Sequence, residues 1–93
     1  MDNWQKPYRD LDLMGGMIRF LLDDHEDMIE ILYPNGMVID VGYIEHWRSY
    51  CITVLAGDTP KDWQNPIDEV TVDDKAALLA EIQRMIDKHC RKG

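Results

Sequence analysis

The chain has 93 residues, about one domain's worth of polypeptide, with 45% apolar and 30% charged residues and a formal net charge of −8. That composition excludes a disordered, collagen-like or coiled-coil chain, and no apolar run approaches the about 20 residues that a membrane-crossing helix needs. The acidic balance argues against direct nucleic-acid binding, which works through phosphate neutralisation by Lys and Arg.

Residues 1–16 lack periodicity and read as an irregular segment in which Trp4 and Tyr8 act as packing anchors. Gly15-Gly16 then breaks the chain. Residues 17–22 read as a strand, with Ile18, Phe20 and Leu22 on the core face and Arg19 and Leu21 on the other. After a polar turn at 23–27, residues 28–33 alternate again, with Ile29, Ile31 and Tyr33 together and Glu30 opposite. Pro34-Asn35-Gly36 is a strong hairpin signal, because Pro presets φ and Asn-Gly tolerates positive φ. The return strand covers 37–41, with Met37, Ile39 and Val41 inward. Residues 43–47 read as a loop or single turn, and 50–55, rich in Tyr, Ile, Thr and Val, as the fourth strand. Residues 61–68, with Trp63, Asn65 and Pro66, read as an ordered loop.

Thr71 fits a helix N-cap and Asp74 the acidic partner of a capping box. Leu78, Leu79, Ile82, Met85, Ile86 and His89 follow at helical spacing, with Lys88, Arg91 and Lys92 where they complement the helix dipole. The expected fold is a single α+β domain over 1–93: a four-stranded antiparallel meander with one C-terminal helix packed on one face.

No phosphate loop, dinucleotide fingerprint, nucleophile elbow or Cys-x-x-Cys is present, and Ser49 is the sole serine. Cys51 and His46, five residues apart on loop and strand, do not aim at one another, so no catalytic residue, cofactor or metal is expected. The 23–27 run, Asp-Asp-His-Glu-Asp, lacks the alternating acid spacing and distal Glu of a calcium loop and reads as a solvated turn. His89 reads as a packed boundary residue, and the methionines at 14, 17, 28, 37 and 85 as core fillers. The first four residues do not begin a secretory signal, and Cys51 and Cys90 are too few for a disulfide framework. A cytoplasmic chain with reduced thiols is expected, with Cys51 in the core and Cys90 near the surface.

Charge distribution carries the functional reading. From Phe20 to Trp47 the chain holds Asp23, Asp24, Glu26, Asp27, Glu30, Asp40 and Glu45 and no Lys or Arg, a local charge of −7. In a meander these carboxylates contribute to one acidic surface, which attracts a basic protein and speeds encounter. Tyr43 and Trp47 add aromatic anchors of the kind that dominate small interfaces.

The stretch Val38-Ile39-Asp40, Tyr43-Ile44-Glu45-His46-Trp47, Pro66-Ile67-Asp68-Glu69 and the helix 75–85 resembles small bacterial immunity proteins of polymorphic or contact-dependent toxin systems. Those run strand, short "S-I-x-x-W"-like stretch, proline loop and acidic-capped helix; here Tyr43 replaces the serine, and strand 50–55 intervenes. The resemblance implies a non-enzymatic acidic inhibitor that occludes a basic toxin domain such as a nuclease. The expected partner-binding residues, read from charge and aromatic placement, are Asp23, Asp24, Glu26, Asp27, Glu30, Asp40, Tyr43, Glu45 and Trp47. A phage-encoded inhibitor of a host nucleic-acid-binding complex, or a small structural or regulatory binding module, are the alternatives.

Overall fold

The computed structural model describes residues 6–22 and 28–90. The elements are α1 (Lys6–Arg9), β1 (Met17–Leu21), β2 (Ile29–Leu32), β3 (Val38–Ile44), β4 (Ser49–Leu55), α2 (Pro60–Gln64), β5 (Asp68–Val72) and α3 (Lys75–His89). The strands form one antiparallel sheet in the order β1-β2-β3-β4-β5, so every strand pairs with its neighbour in sequence. The α+β class and the C-terminal helix match the sequence expectation, but the sheet has five strands rather than four.

The additional strand, β5, runs from the end of the expected 61–68 loop over Thr71, the residue expected to cap the helix. Thr71 pairs with Cys51, and Val70 and Val72 continue the alternation toward the core. The helix starts later, at Lys75. Asp74 is its N-cap, and its carboxylate accepts from the Ala76 N–H at 2.9 Å. The capping box lies instead on α2, inside the segment read as a loop. Thr59 Oγ1 accepts from the Asp62 N–H, the Thr59 N–H donates to Asp62 Oδ2, and Pro60 sits in the first turn, where its missing donor costs nothing.

The hairpin turn at 34–36 forms as its residues require. Tyr33 N–H donates to the Met37 carbonyl, Asn35 Oδ1 accepts from the Met37 N–H, and Gly36 takes φ +95°, which a side chain would disfavour.

β1 departs from strict alternation. The pairs Ile18↔Ile31 and Phe20↔Glu30 leave Arg19 as an extra residue, a β-bulge. Beyond it the inward and outward positions exchange. Leu21, expected outside, pairs with Ile29 and is buried, whereas Leu22, expected inside, is exposed. The Phe20 side chain lies outside the described residues.

One face of the sheet carries the core. Ile29, Ile31, Ile39, Val41, Ile52 and Val54 meet Leu78, Ile82, Met85 and Ile86 of α3, which lies across β4 and β5. Ile18 is half-buried against the same cluster. The N-terminal segment joins it: Tyr8 is buried, Leu11, Leu13 and Met14 pack beside it, and Asp12 exchanges two hydrogen bonds with Gln83 of α3. Gly16 permits this approach, since a Cβ there would fall 2.7 Å from the Tyr33 ring. Cys51, expected in the core, is half-buried on the opposite face, where its thiol lies 3.7 Å from Thr53 Oγ1. Both cysteines are free. Trp4 lies outside the described residues.

The last turn of α3 is tied to β5. His89 Nε2 lies 2.9 Å and Lys88 Nζ 3.1 Å from Asp68 Oδ2, while the Glu69 N–H donates to Asp68 Oδ1. The bond to His89 first, and the one to Lys88 second, hold the Asp68 carboxyl down at about 2, below its ordinary 3.8. A carboxyl depressed by folding stabilises the fold above its unfolded pKa, and that contribution disappears as pH falls through the folded value. Thermal melts of the native chain and Asp68→Asn should therefore differ at pH 5 and converge between about pH 4 and 2. A difference that persists at pH 2 would show that Asp68 acts through packing rather than charge.

Candidate partner-binding surface

Sheet topology sorts the expected residues by position. β1 ends, β2 begins, β3 ends and β4 begins at the same end of the sheet, and β5 hands over to α3 there as well. Asp23, Asp24, Glu26 and Asp27 belong to the sequence between β1 and β2 and lie outside the described residues.

Glu45 and Trp47 sit together on the four-residue turn 45–48 between β3 and β4. Trp47 N–H donates to the Ile44 carbonyl, Arg48 N–H donates to the Glu45 carbonyl, and Arg48 closes the turn at φ +51°. Glu45, His46, Trp47 and Arg48 are all exposed, Trp47 to 61%. The turn is braced from behind. The buried Ser49 hydroxyl lies 3.0 Å from the Trp47 carbonyl and 2.6 Å from Asp73 Oδ1, which ties the turn to the β5–α3 junction. Asp73 and Asp74 thereby join Glu45 at the end of the sheet that displays Trp47. Sequence reasoning missed this acidic pair because it placed no strand at 68–72. The signal was the Val70/Val72 alternation.

Glu30 and Asp40 are directly opposed across β2 and β3, as expected, on the face away from α3. Thr53 and Glu69 extend the same cross-strand row, with Thr53 Oγ1 3.4 Å from Glu69 Oε2. Asp40 is half-buried. Glu30 departs from its expected role as a surface carboxylate: it is 4% exposed and ion-paired with Arg19. The balancing base stands one residue before the acidic run, brought over by the bulge. Tyr43 also departs from the expected anchor position. It lies on the α3 side, half-buried, its ring 5.0 Å from that of Tyr50. Trp63, exposed to 42%, donates from Nε1 to Asp58 at the opposite end of the molecule.

Among the described residues no group of three or more His, Cys, Asp or Glu side chains is placed to hold a metal ion, and no helix is long and apolar enough to cross a membrane. Burial raises the Cys51 and Cys90 thiols above their ordinary value, which disfavours the thiolate.

No family model, curated protein or solved structure matches this chain.

Proposed function

We propose that this chain is a non-catalytic acidic inhibitor, an immunity protein that binds and occludes a basic toxin domain such as a nuclease in the cytoplasm. The observation that carries the reading is Trp47: a large aromatic side chain, 61% exposed, on a turn fixed by Ser49 and Asp73 and accompanied by Glu45, Asp73 and Asp74. A rigid exposed Trp costs little entropy to immobilise, and Trp is enriched among residues that dominate interfaces. The surrounding carboxylates match Lys and Arg side chains that would otherwise hold substrate phosphates. The −8 charge of the chain supplies the long-range attraction.

The test is binding kinetics against the protein encoded beside this gene, at low and high salt. Trp47→Ala should raise the off-rate by about 30-fold or more while leaving the melting temperature unchanged, because the side chain is exposed. Reversal of Asp23, Asp24, Glu26 and Asp27 to Lys should slow association by about tenfold or more at low salt. Absence of binding to the neighbouring gene product would overturn the immunity reading. Binding that ignores both salt and the reversals would overturn the electrostatic mechanism.

A further inference from the structure

The sheet has two outer edges, and they differ. β1 is broken by the Arg19 bulge. β5 keeps an unbroken register with β4 over Asp68–Val72 and contains neither Pro nor Lys, residues that often blunt an edge. Glu69 and Thr71 are exposed there, Asp68 and Val70 half-buried, and Val72 buried.

The alternation of the ladder tells which backbone groups lie on that edge. In an antiparallel pair, every second residue turns both its N–H and its C=O to the same neighbouring strand. The Tyr33 N–H donates to the Met37 carbonyl, so along the register Ile39 and Val41 bond to β2, and Val38, Asp40 and Gly42 bond to β4. Their partners on β4 are Leu55, Thr53 and Cys51, which leaves Tyr50, Ile52 and Val54 to bond to β5. Val72, Val70 and Asp68 answer them, and Glu69 and Thr71 turn outward. A separate bond agrees: the Glu69 N–H donates to its neighbour's Asp68 Oδ1 at 2.8 Å. The outer edge therefore presents the Thr71 N–H and the carbonyls of Glu69 and Thr71. Among the described residues, no backbone group outside the sheet ladder bonds to them.

Charge selects the strand that fits. The exposed Glu69 carboxylate lies on the face away from α3, 3.4 Å from Thr53 Oγ1, and Asp73 and Asp74 follow β5 directly. A second copy would set these acids against their equivalents, in a chain that already carries −8. We propose that the outer edge of β5 is a docking site for an extended basic segment of a protein partner, which joins the sheet as a further antiparallel strand. Its backbone pairs with Glu69 and Thr71, its Lys or Arg side chains meet Glu69 on the open face, and the residues between them turn toward the Val70 side. The proposal is reached without Trp47 and holds whether or not the partner is a toxin.

The test uses the full chain, ¹⁵N-labelled, titrated with a capped hexapeptide in which Lys and Val alternate. The peptide should shift the amides of Glu69 and Thr71 saturably and slow hydrogen exchange at Thr71. Exchange at Val70 and Val72, already bonded to β4, should change little. Two isomeric peptides separate backbone pairing from charge. N-methylation of every Lys removes the donors that face Glu69 and Thr71 and should weaken binding about tenfold or more, whereas N-methylation of every Val should leave it near its original strength. A hexapeptide with Glu in place of Lys should not bind. Thr71→Pro removes the outward donor and no ladder bond, so it should melt close to the native chain and bind the Lys–Val peptide about tenfold more weakly. The methylated pair reads the same contact on the native chain. Shifts that do not saturate at Glu69 and Thr71, equal affinity for the two methylated isomers, or binding of the Glu peptide would overturn the assignment. Slowed exchange at Thr71 in the chain alone, growing with its concentration, would overturn it in favour of a second copy.

Discussion

Ile82→Ala should lower the unfolding free energy by about 2–5 kcal/mol, visible as an earlier midpoint in urea at an unchanged slope. Ile82 is fully buried at the middle of α3, one turn from Leu78 on one side and from Met85 and Ile86 on the other. All four meet the sheet residues in a single cluster. Truncation removes the transfer free energy of three carbon atoms and leaves a cavity that two regular elements cannot easily collapse to fill. An unchanged midpoint would mean that α3 is not docked on the sheet.

The ion pair at the bulge should give the second large effect. Arg19→Met should destabilise the chain by about 2–3 kcal/mol, because it leaves the Glu30 carboxylate buried and uncompensated. Arg19 is about half-exposed, so water partly screens the lost charge, and the figure lies below that for a fully buried pair. The double variant Arg19→Met/Glu30→Met should recover most of the loss, since removing both partners leaves no orphaned charge. A double variant as unstable as Arg19→Met alone would place the effect in the bulge geometry rather than the charge.

The legible parts of the fold were those fixed by local chemistry. Pro34-Asn35-Gly36 specified its turn because both Asn and Gly act within the turn itself, one through a side-chain acceptor and the other through positive φ. The spacing of Leu78, Ile82, Met85 and Ile86 specified α3. Other features depended on partners distant in sequence. β5 has one side against β4 and the other at the edge, so Asp68, Glu69 and Thr71 dilute its strand character, and Thr71 with Asp74 three residues later imitates a capping box although Asp74 is itself the N-cap. The Arg19 bulge leaves no mark on local composition; it appears only when Leu21 and Ile29 are seen to pair. On the candidate surface, Trp47 and Glu45 are near in sequence and were placed together. Asp73 joins them through Ser49, 24 residues away. Glu30 was misjudged because its partner Arg19 was counted with the preceding segment.

The order of strands along the sheet bears on how the chain reaches its native state. Each strand finds its partner immediately before it, through a connection of at most about a dozen residues, so the meander can be assembled hairpin by hairpin with little loop-closure entropy at each step. The helix that covers the meander comes after all five strands. During synthesis, the apolar face of Ile29, Ile31, Ile39, Val41, Ile52 and Val54 therefore lacks its α3 cover until residues 75–89 have been made. Nascent chains paused before that point present a sticky half-finished sheet, the kind of species that self-associates or recruits a chaperone.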